Sequence, residues 1–95
     1  MIVQRITVQY KPGKLQEAIA LLKAERDRVT APHAIRMYIP QSGAELGIAE
    51  YEFENSEEME KFWVNWAAQP EAQAFLEKYN ALTEGEMVTE YFNLF

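Results

Sequence analysis

The sequence predicts an α+β domain built on one four-stranded antiparallel sheet with helices on one face only. Three observations carry this. Period-two alternation recurs in four short segments, apolar stripes at helical spacing lie between them, and turn chemistry separates the segments. The implied order is β-α-β-β-α-β, with the second helix interrupted at Pro70.

Ile2 to Tyr10 alternates: Ile2, Gln4, Ile6, Val8 and Tyr10 fall on one side, Val3, Arg5, Thr7 and Gln9 on the other. Lys11-Pro12-Gly13-Lys14 reads as a turn, with Pro fixing φ and Gly supplying a positive φ if the turn is type II. A helix follows, with Leu15, Ala18, Ile19 and Leu22 on its apolar face and Val29 two turns on. Gln16, Glu17, Lys23, Glu25 and Asp27 form its charged face. It should fade near Thr30, before Pro32. Ala34 to Ile39 is the next strand, with Arg36 and Tyr38 on one side and Ile35, Met37 and Ile39 on the other. Pro40-Gln41-Ser42-Gly43 turns the chain.

Leu46 to Leu82 organises the rest. Gly47, Ala49, Tyr51 and Phe53 alternate with Ile48, Glu50, Glu52 and Glu54, a strand with two unlike faces. Asn55 or Ser56 can cap a helix, and Glu58 fits a capping box. Met59, Phe62, Trp63 and Trp66 form one apolar stripe, then Ala72, Phe75, Leu76 and Tyr79 form another. The residue before a proline avoids the α region, and Pro suits a first helical position, so helices of about 56–68 and 70–82 are expected. Thr83-Glu84-Gly85 ends the second, and Met87 to Phe95 is the last strand.

This is the ferredoxin-like split βαβ arrangement. Right-handed crossovers put both helical layers on one face, leaving the other bare. That bare face carries Val3 and Ile48 beside its charges. Packing two such sheets together as a symmetric dimer is the expected remedy.

Ninety-five residues allow one domain, 1–95, with a modest core. Absent cysteine removes disulfides, thiolate metal sites and a cysteine nucleophile. No segment has the length of a membrane span, and MIVQRITVQY lacks the features of a signal peptide, so a cytoplasmic location is expected. Net charge is −6 and the pI about 4.7. Phosphate binding needs a positive field, so nucleic acid and anionic membranes are poor partners. Residues 1–44 hold seven Lys/Arg against three Asp/Glu, whereas residues 45–95 hold two against twelve. The halves neutralise each other within one fold.

The chain resembles the dimeric α/β barrel superfamily, most of all its NIPSNAP and antibiotic-biosynthesis-monooxygenase-like branches. The opening Met1-Ile2-Val3 strand leading to Lys11-Pro12-Gly13-Lys14-Leu15 and Glu17 is similar to the NIPSNAP start. Gln69-Pro70-Glu71-Ala72-Gln73-Ala74-Phe75-Leu76 resembles the family's D-P-E-W-Q-A-F run, with Gln69 for Asp and Ala72 for Trp. The resemblance implies a homodimer whose two sheets form a barrel, with ligands held between sheet and helices. Some branches oxidise polyketide aromatics without a cofactor, and others bind and degrade haem. Haem-degrading relatives use a first-strand Asn and a His beyond the helical Trp. Neither is present here, although Trp66 could serve as the Trp. The Trp–Asn pair of the cofactor-free oxygenases is echoed by Trp66 and Asn65, but adjacent helical residues point about 100° apart.

Candidate chemistry follows from the residues themselves. Tyr51, Trp63, Trp66, Phe75 and Tyr79 can line an aromatic pocket for a small apolar or aromatic ligand. The competing reading is that they fill the core. His33 is the only histidine and thus the one candidate for proton transfer with an unperturbed pKa near neutrality. A loop histidine is more often solvated, and a lone His argues against a zinc or iron site. Glu50 and Glu52 stand about 6.5–7 Å apart on one strand face, a spacing that paired carboxylates use. Arg5 and Arg36 share that face, so an ion-pair network in a dimer interface of Val3, Arg5, Thr7, Arg36, Tyr38, Ile48, Glu50 and Glu52 accounts for all four charges. No phosphate loop or serine triad is present, and no cofactor is expected. Two functions remain: a non-catalytic binding dimer, or a cofactor-free oxygenase or isomerase acting on an aromatic metabolite.

Overall fold

A computed structural model describes residues 1–95. The elements are β1 (Ile2–Gln9), α1 (Leu15–Arg28), β2 (Ile35–Tyr38), β3 (Leu46–Phe53), α2 (Ser56–Ala67), α3 (Pro70–Asn80) and β4 (Val88–Asn93). The strands form one sheet in the order β2-β3-β1-β4, every neighbour antiparallel. This is the α+β, ferredoxin-like architecture that the alternation predicts.

Local chemistry explains the boundaries. Lys14 N–H donates to Lys11 C=O at 3.0 Å, closing a turn in which Gly13 has φ +78°. A side chain there would be strained, so glycine suits the position. Asn55 caps α2, its Oδ1 accepting from Glu58 N–H at 2.9 Å. Glu58 Oε1 accepts from Glu54 N–H at 2.8 Å, one residue earlier than a strict capping box. Pro70 occupies the first turn of α3, where its missing N–H costs no hydrogen bond. The helix ends at Asn80 rather than near residue 82. Leu82 leaves it to enter the core, its C=O accepting Lys11 N–H at 2.8 Å.

Residues of β1 and β3 pair so that Gln4, Ile6, Val8, Gly47, Ala49 and Tyr51 share the helical side, with Arg5, Glu50 and Glu52 on the other. The central cluster is Val8, Tyr10, Ala18, Tyr79 and Leu82, and Phe53 is fully buried at the other end of the sheet, where it pairs with Ile2. Only 11 of 95 residues are buried, so a single copy encloses a thin core. Every residue of β4 is exposed. No helix is long and apolar enough to cross a membrane.

Candidate functional site

The helices do not close down on the sheet. Between the layers lies a cavity of about 680 Å³, lined by 29 residues of which 21 are hydrophobic. Its floor includes Ile6, Val8, Gly47 and Ala49 from the middle of the sheet. The small side chain of Ala49 fills little of this volume, whereas the space over Gly47 is taken by the Tyr10 ring.

All five residues expected to form an aromatic pocket line this cavity. They make one continuous wall. Tyr51 meets Trp63 at 5.0 Å between ring centroids, Trp63 meets Trp66 at 5.7 Å, Trp66 meets Phe75 at 6.2 Å and Phe75 stacks on Tyr79 at 5.0 Å. Most of these contacts are edge-to-face, the arrangement that ring quadrupoles favour. The tryptophans wall the cavity rather than fill it.

Three polar features that the sequence reading did not single out complete the site. The first is Tyr10, whose hydroxyl lies 2.7 Å from that of Tyr79. Burial raises the Tyr10 pKa, with the Tyr79 hydrogen bond partly opposing it. Burial, then the bond to Tyr10, raises that of Tyr79. Gly47 makes room for the pair: a Cβ there would sit 2.9 Å from Tyr10 Oη. The second is Gln4, buried on the otherwise apolar side of β1, whose Oε1 accepts from Trp63 Nε1 at 2.8 Å.

The third is Glu25, which the sequence places on the charged face of α1 and which does not stand clear of the cavity. Its carboxylate turns toward the cavity. Oε2 accepts from Trp66 Nε1 at 2.6 Å, and Arg28 donates to both oxygens at 2.9 and 2.6 Å. Arg28 also donates to Gln69 Oε1 at 2.6 Å, joining α1 to the bend between α2 and α3. The Arg28 hydrogen bonds, aided by that of Trp66, outweigh desolvation and hold Glu25 below its usual pKa. Tyr51 goes the other way. Burial, with a smaller push from the Glu25 charge, raises it to about 12.

His33 does not line the cavity. Its Nε2 lies 3.0 Å from Glu58 Oε1 without the alignment of a hydrogen bond. Donor atoms of His33, Glu54 and Glu58 fall within 4.8 Å of one another. Glu58 already serves the helix N-terminus, whose positive dipole end opposes a cation.

The charged residues expected on the open sheet face do meet there. Arg5 donates to Glu50 at 2.8 Å, Arg36 to Glu52 at 2.8 Å and to Glu50 at 3.4 Å, and Tyr38 to Glu50 at 3.0 Å. Hydrogen bonding from Arg5 leads the lowering of the Glu50 pKa. Neither carboxylate is free for acid–base work. Val3, Thr7 and Ile48 share the face with this network, and Phe92 of β4 lies under Arg5 at 4.8 Å.

The fold and this layout define a split-βαβ domain with a cavity between sheet and helices. Solved structures share it. A NIPSNAP family protein from Agrobacterium tumefaciens superposes with a TM-score of 0.85 at 19% identity, over 97% of this chain and 90% of that one. An uncharacterized NIPSNAP domain protein from Burkholderia xenovorans gives 0.81 at 16%, over 99% and 94%. A structure described as an antibiotic biosynthesis monooxygenase gives 0.77 at 13%, over 100% and 99%. The chain is thus similar in fold to both groups that its sequence resembles. No protein-family model matches the chain, and no curated protein sequence does either.

Proposed function

We propose that this protein is a homodimer that holds a small, planar, largely apolar molecule between its sheet and its helices. The observation that carries this reading is the cavity of about 680 Å³ with its unbroken aromatic wall. Its size lies within the few-hundred to ~1,000 Å³ range of small-molecule sites, and apolar walls with a few placed polar groups are what such sites use.

Binding is favoured over catalysis by the ionisable groups present. A cofactor-free oxygenase or isomerase needs a base to draw a proton from its substrate. Glu25, the cavity's one carboxylate, is spent on Arg28 and Trp66, and the buried phenols Tyr10, Tyr51 and Tyr79 hold their protons more tightly than free tyrosine.

Dimerisation through the open sheet face is supported by the composition of that face. It carries both signs of charge in one patch, which a two-fold axis can make self-complementary. Beside the patch, Val88 and Phe92 are exposed apolar residues of β4, followed by Leu94 and Phe95 at the chain end. A thermal-shift screen of neutral aromatic compounds tests the binding reading. At a hundred times Kd a true ligand stabilises by about 2.7 kcal/mol. No stabilising compound would defeat it.

A further inference from the structure

Hydrogen-bond accounting in the cavity specifies one end of the ligand. Gln4 is 7% exposed. An indole N–H can only donate, so Trp63 requires the oxygen of the Gln4 amide and turns the NH₂ the other way. That NH₂ has no acceptor in the protein, yet it is not sealed off, because Gln4 lines the cavity. Tyr51 stands directly opposite Gln4 on β3, lines the same cavity, and its hydroxyl makes no hydrogen bond either. Two residues with unspent donors are thus directly paired on adjacent strands, with the Tyr51 ring against Phe62 and Trp63. Both donors open onto the cavity rather than being sealed from water, so a ligand that fills it displaces that water and forfeits about 1–3 kcal/mol for each donor it leaves without an acceptor.

We propose that Gln4 and Tyr51 form a two-donor seat for the carbonyl oxygen of a neutral planar ligand. The inference rests on the binding reading above and adds the chemistry of the group that enters. An amine or ammonium finds no acceptor here, since the Gln4 oxygen is occupied by Trp63. A carboxylate at this seat would be desolvated against Phe62 and Trp63 and opposed by the Glu25 charge, and the cations that line the cavity, Lys23 and Arg26, stand on α1 rather than on the strands that carry the seat. A neutral carbonyl accepts two hydrogen bonds and carries no net charge to bury. The phenol stays a donor across the physiological range, because burial holds its proton. Tyr91, opposite Gln4 on the other flank, adds a further aromatic ring to the same row of the sheet.

The test uses fluorene, fluorenone and a fluorene carboxylate, which share one ring skeleton, on the full chain. Two neutral hydrogen bonds of ordinary strength correspond to on the order of tenfold or more in affinity. Fluorenone should therefore bind at least about tenfold more tightly than fluorene or the carboxylate. The infrared carbonyl stretch of bound fluorenone should fall to lower frequency than in an apolar solvent. Tyr51→Phe, which removes only the hydroxyl, should cut the preference for fluorenone and return part of the frequency shift. Gln4→Glu keeps an acceptor for Trp63 and should abolish the preference. If Gln4→Glu does not fold, the wild-type affinity ratio and Tyr51→Phe decide alone. Equal binding of fluorene and fluorenone would overturn the carbonyl seat and leave the binding reading standing. Tighter binding of the carboxylate would overturn the requirement for a neutral ligand. Binding of none of the three would overturn both the seat and the reading it rests on.

Discussion

Trp66 donates its indole N–H to Glu25 Oε2 at 2.6 Å, so a residue of the last turn of α2 is fastened to the last turn of α1. Arg28 holds the same carboxylate and also Gln69, at the bend. One side-chain cluster thus sets how far the helices stand from one another at the cavity wall. Trp66→Phe should cost about 1.5 kcal/mol, the low end for a hydrogen bond to a charged group, because Glu25 keeps Arg28. Trp66→Ala should cost less than the roughly 3–5 kcal/mol of a filled aromatic core site, since Trp66 borders open space. Urea unfolding of both variants checks this, and a loss at the top of that range for Trp66→Ala would mean the tryptophan is core.

The Glu25 cluster also fixes a pH dependence. A carboxyl whose folded pKa is lowered stabilises the fold above its unfolded pKa of about 4.3, and that contribution is lost as pH falls through the folded value. Glu25→Gln should flatten the acid limb of stability against pH in that window and leave the neutral limb with a constant offset. The phenols act at the other extreme. Tyr51 is raised to about 12, so its contribution is complete below about 10 and lost as pH climbs from there toward 12. Tyr51→Phe should shallow the alkaline limb, followed by circular dichroism.

Gly47 faces Tyr10 across the cavity floor. Gly47→Ala places a methyl carbon 2.9 Å from Tyr10 Oη, and Tyr10 is held by Tyr79 in a buried cluster with little room to yield. Overpacking of this kind costs about 1–3 kcal/mol. A melting temperature equal to wild type would show that the ring moves freely.

Pro70 stands where α3 starts, and Gln69 before it is extended, with φ −81° and ψ 133°. The bend is therefore built into the packing. Pro70→Ala should destabilise by about 0.4–1 kcal/mol, because it frees the unfolded chain without gaining a needed hydrogen bond. A higher melting temperature would argue that the two helices gain by fusing.

Much of this was legible in the sequence, and the residues say why. Alternation around Tyr51 and the i, i+3, i+4 stripe through Trp63 and Trp66 name the faces of their elements, because backbone geometry fixes those periods. The same pattern puts Arg5, Arg36, Glu50 and Glu52 on one face, where they pair. Whether an aromatic face fills or merely borders a space depends on the volume opposite, and spacing carries no information about volume. Ala49 was the available hint. Gln4 was visible as the one amide among Ile2, Ile6 and Val8, although its partner Trp63 lies 59 residues away. Glu25 gave no signal, since a glutamate among the lysines and arginines of α1 looks solvated until Trp66, 41 residues on, reaches it.

Glu50 holds the open sheet face together. It is 8% exposed and meets Arg5, Arg36 and Tyr38. Glu50→Arg would set three cations on that face. It should cost about 3 kcal/mol, the low end for a broken buried pair because both arginines are partly exposed, and shift the protein toward monomer. Light scattering at micromolar concentration reads the change. An unchanged assembly would remove this face from the interface.

Native mass spectrometry of protein purified from its source tests the central claim in one spectrum. The account predicts a species of about twice the 11.0 kDa chain mass, carrying extra mass that gas-phase activation releases as a small neutral molecule. A single bare 11.0 kDa species would contradict both the dimer and the occupied cavity.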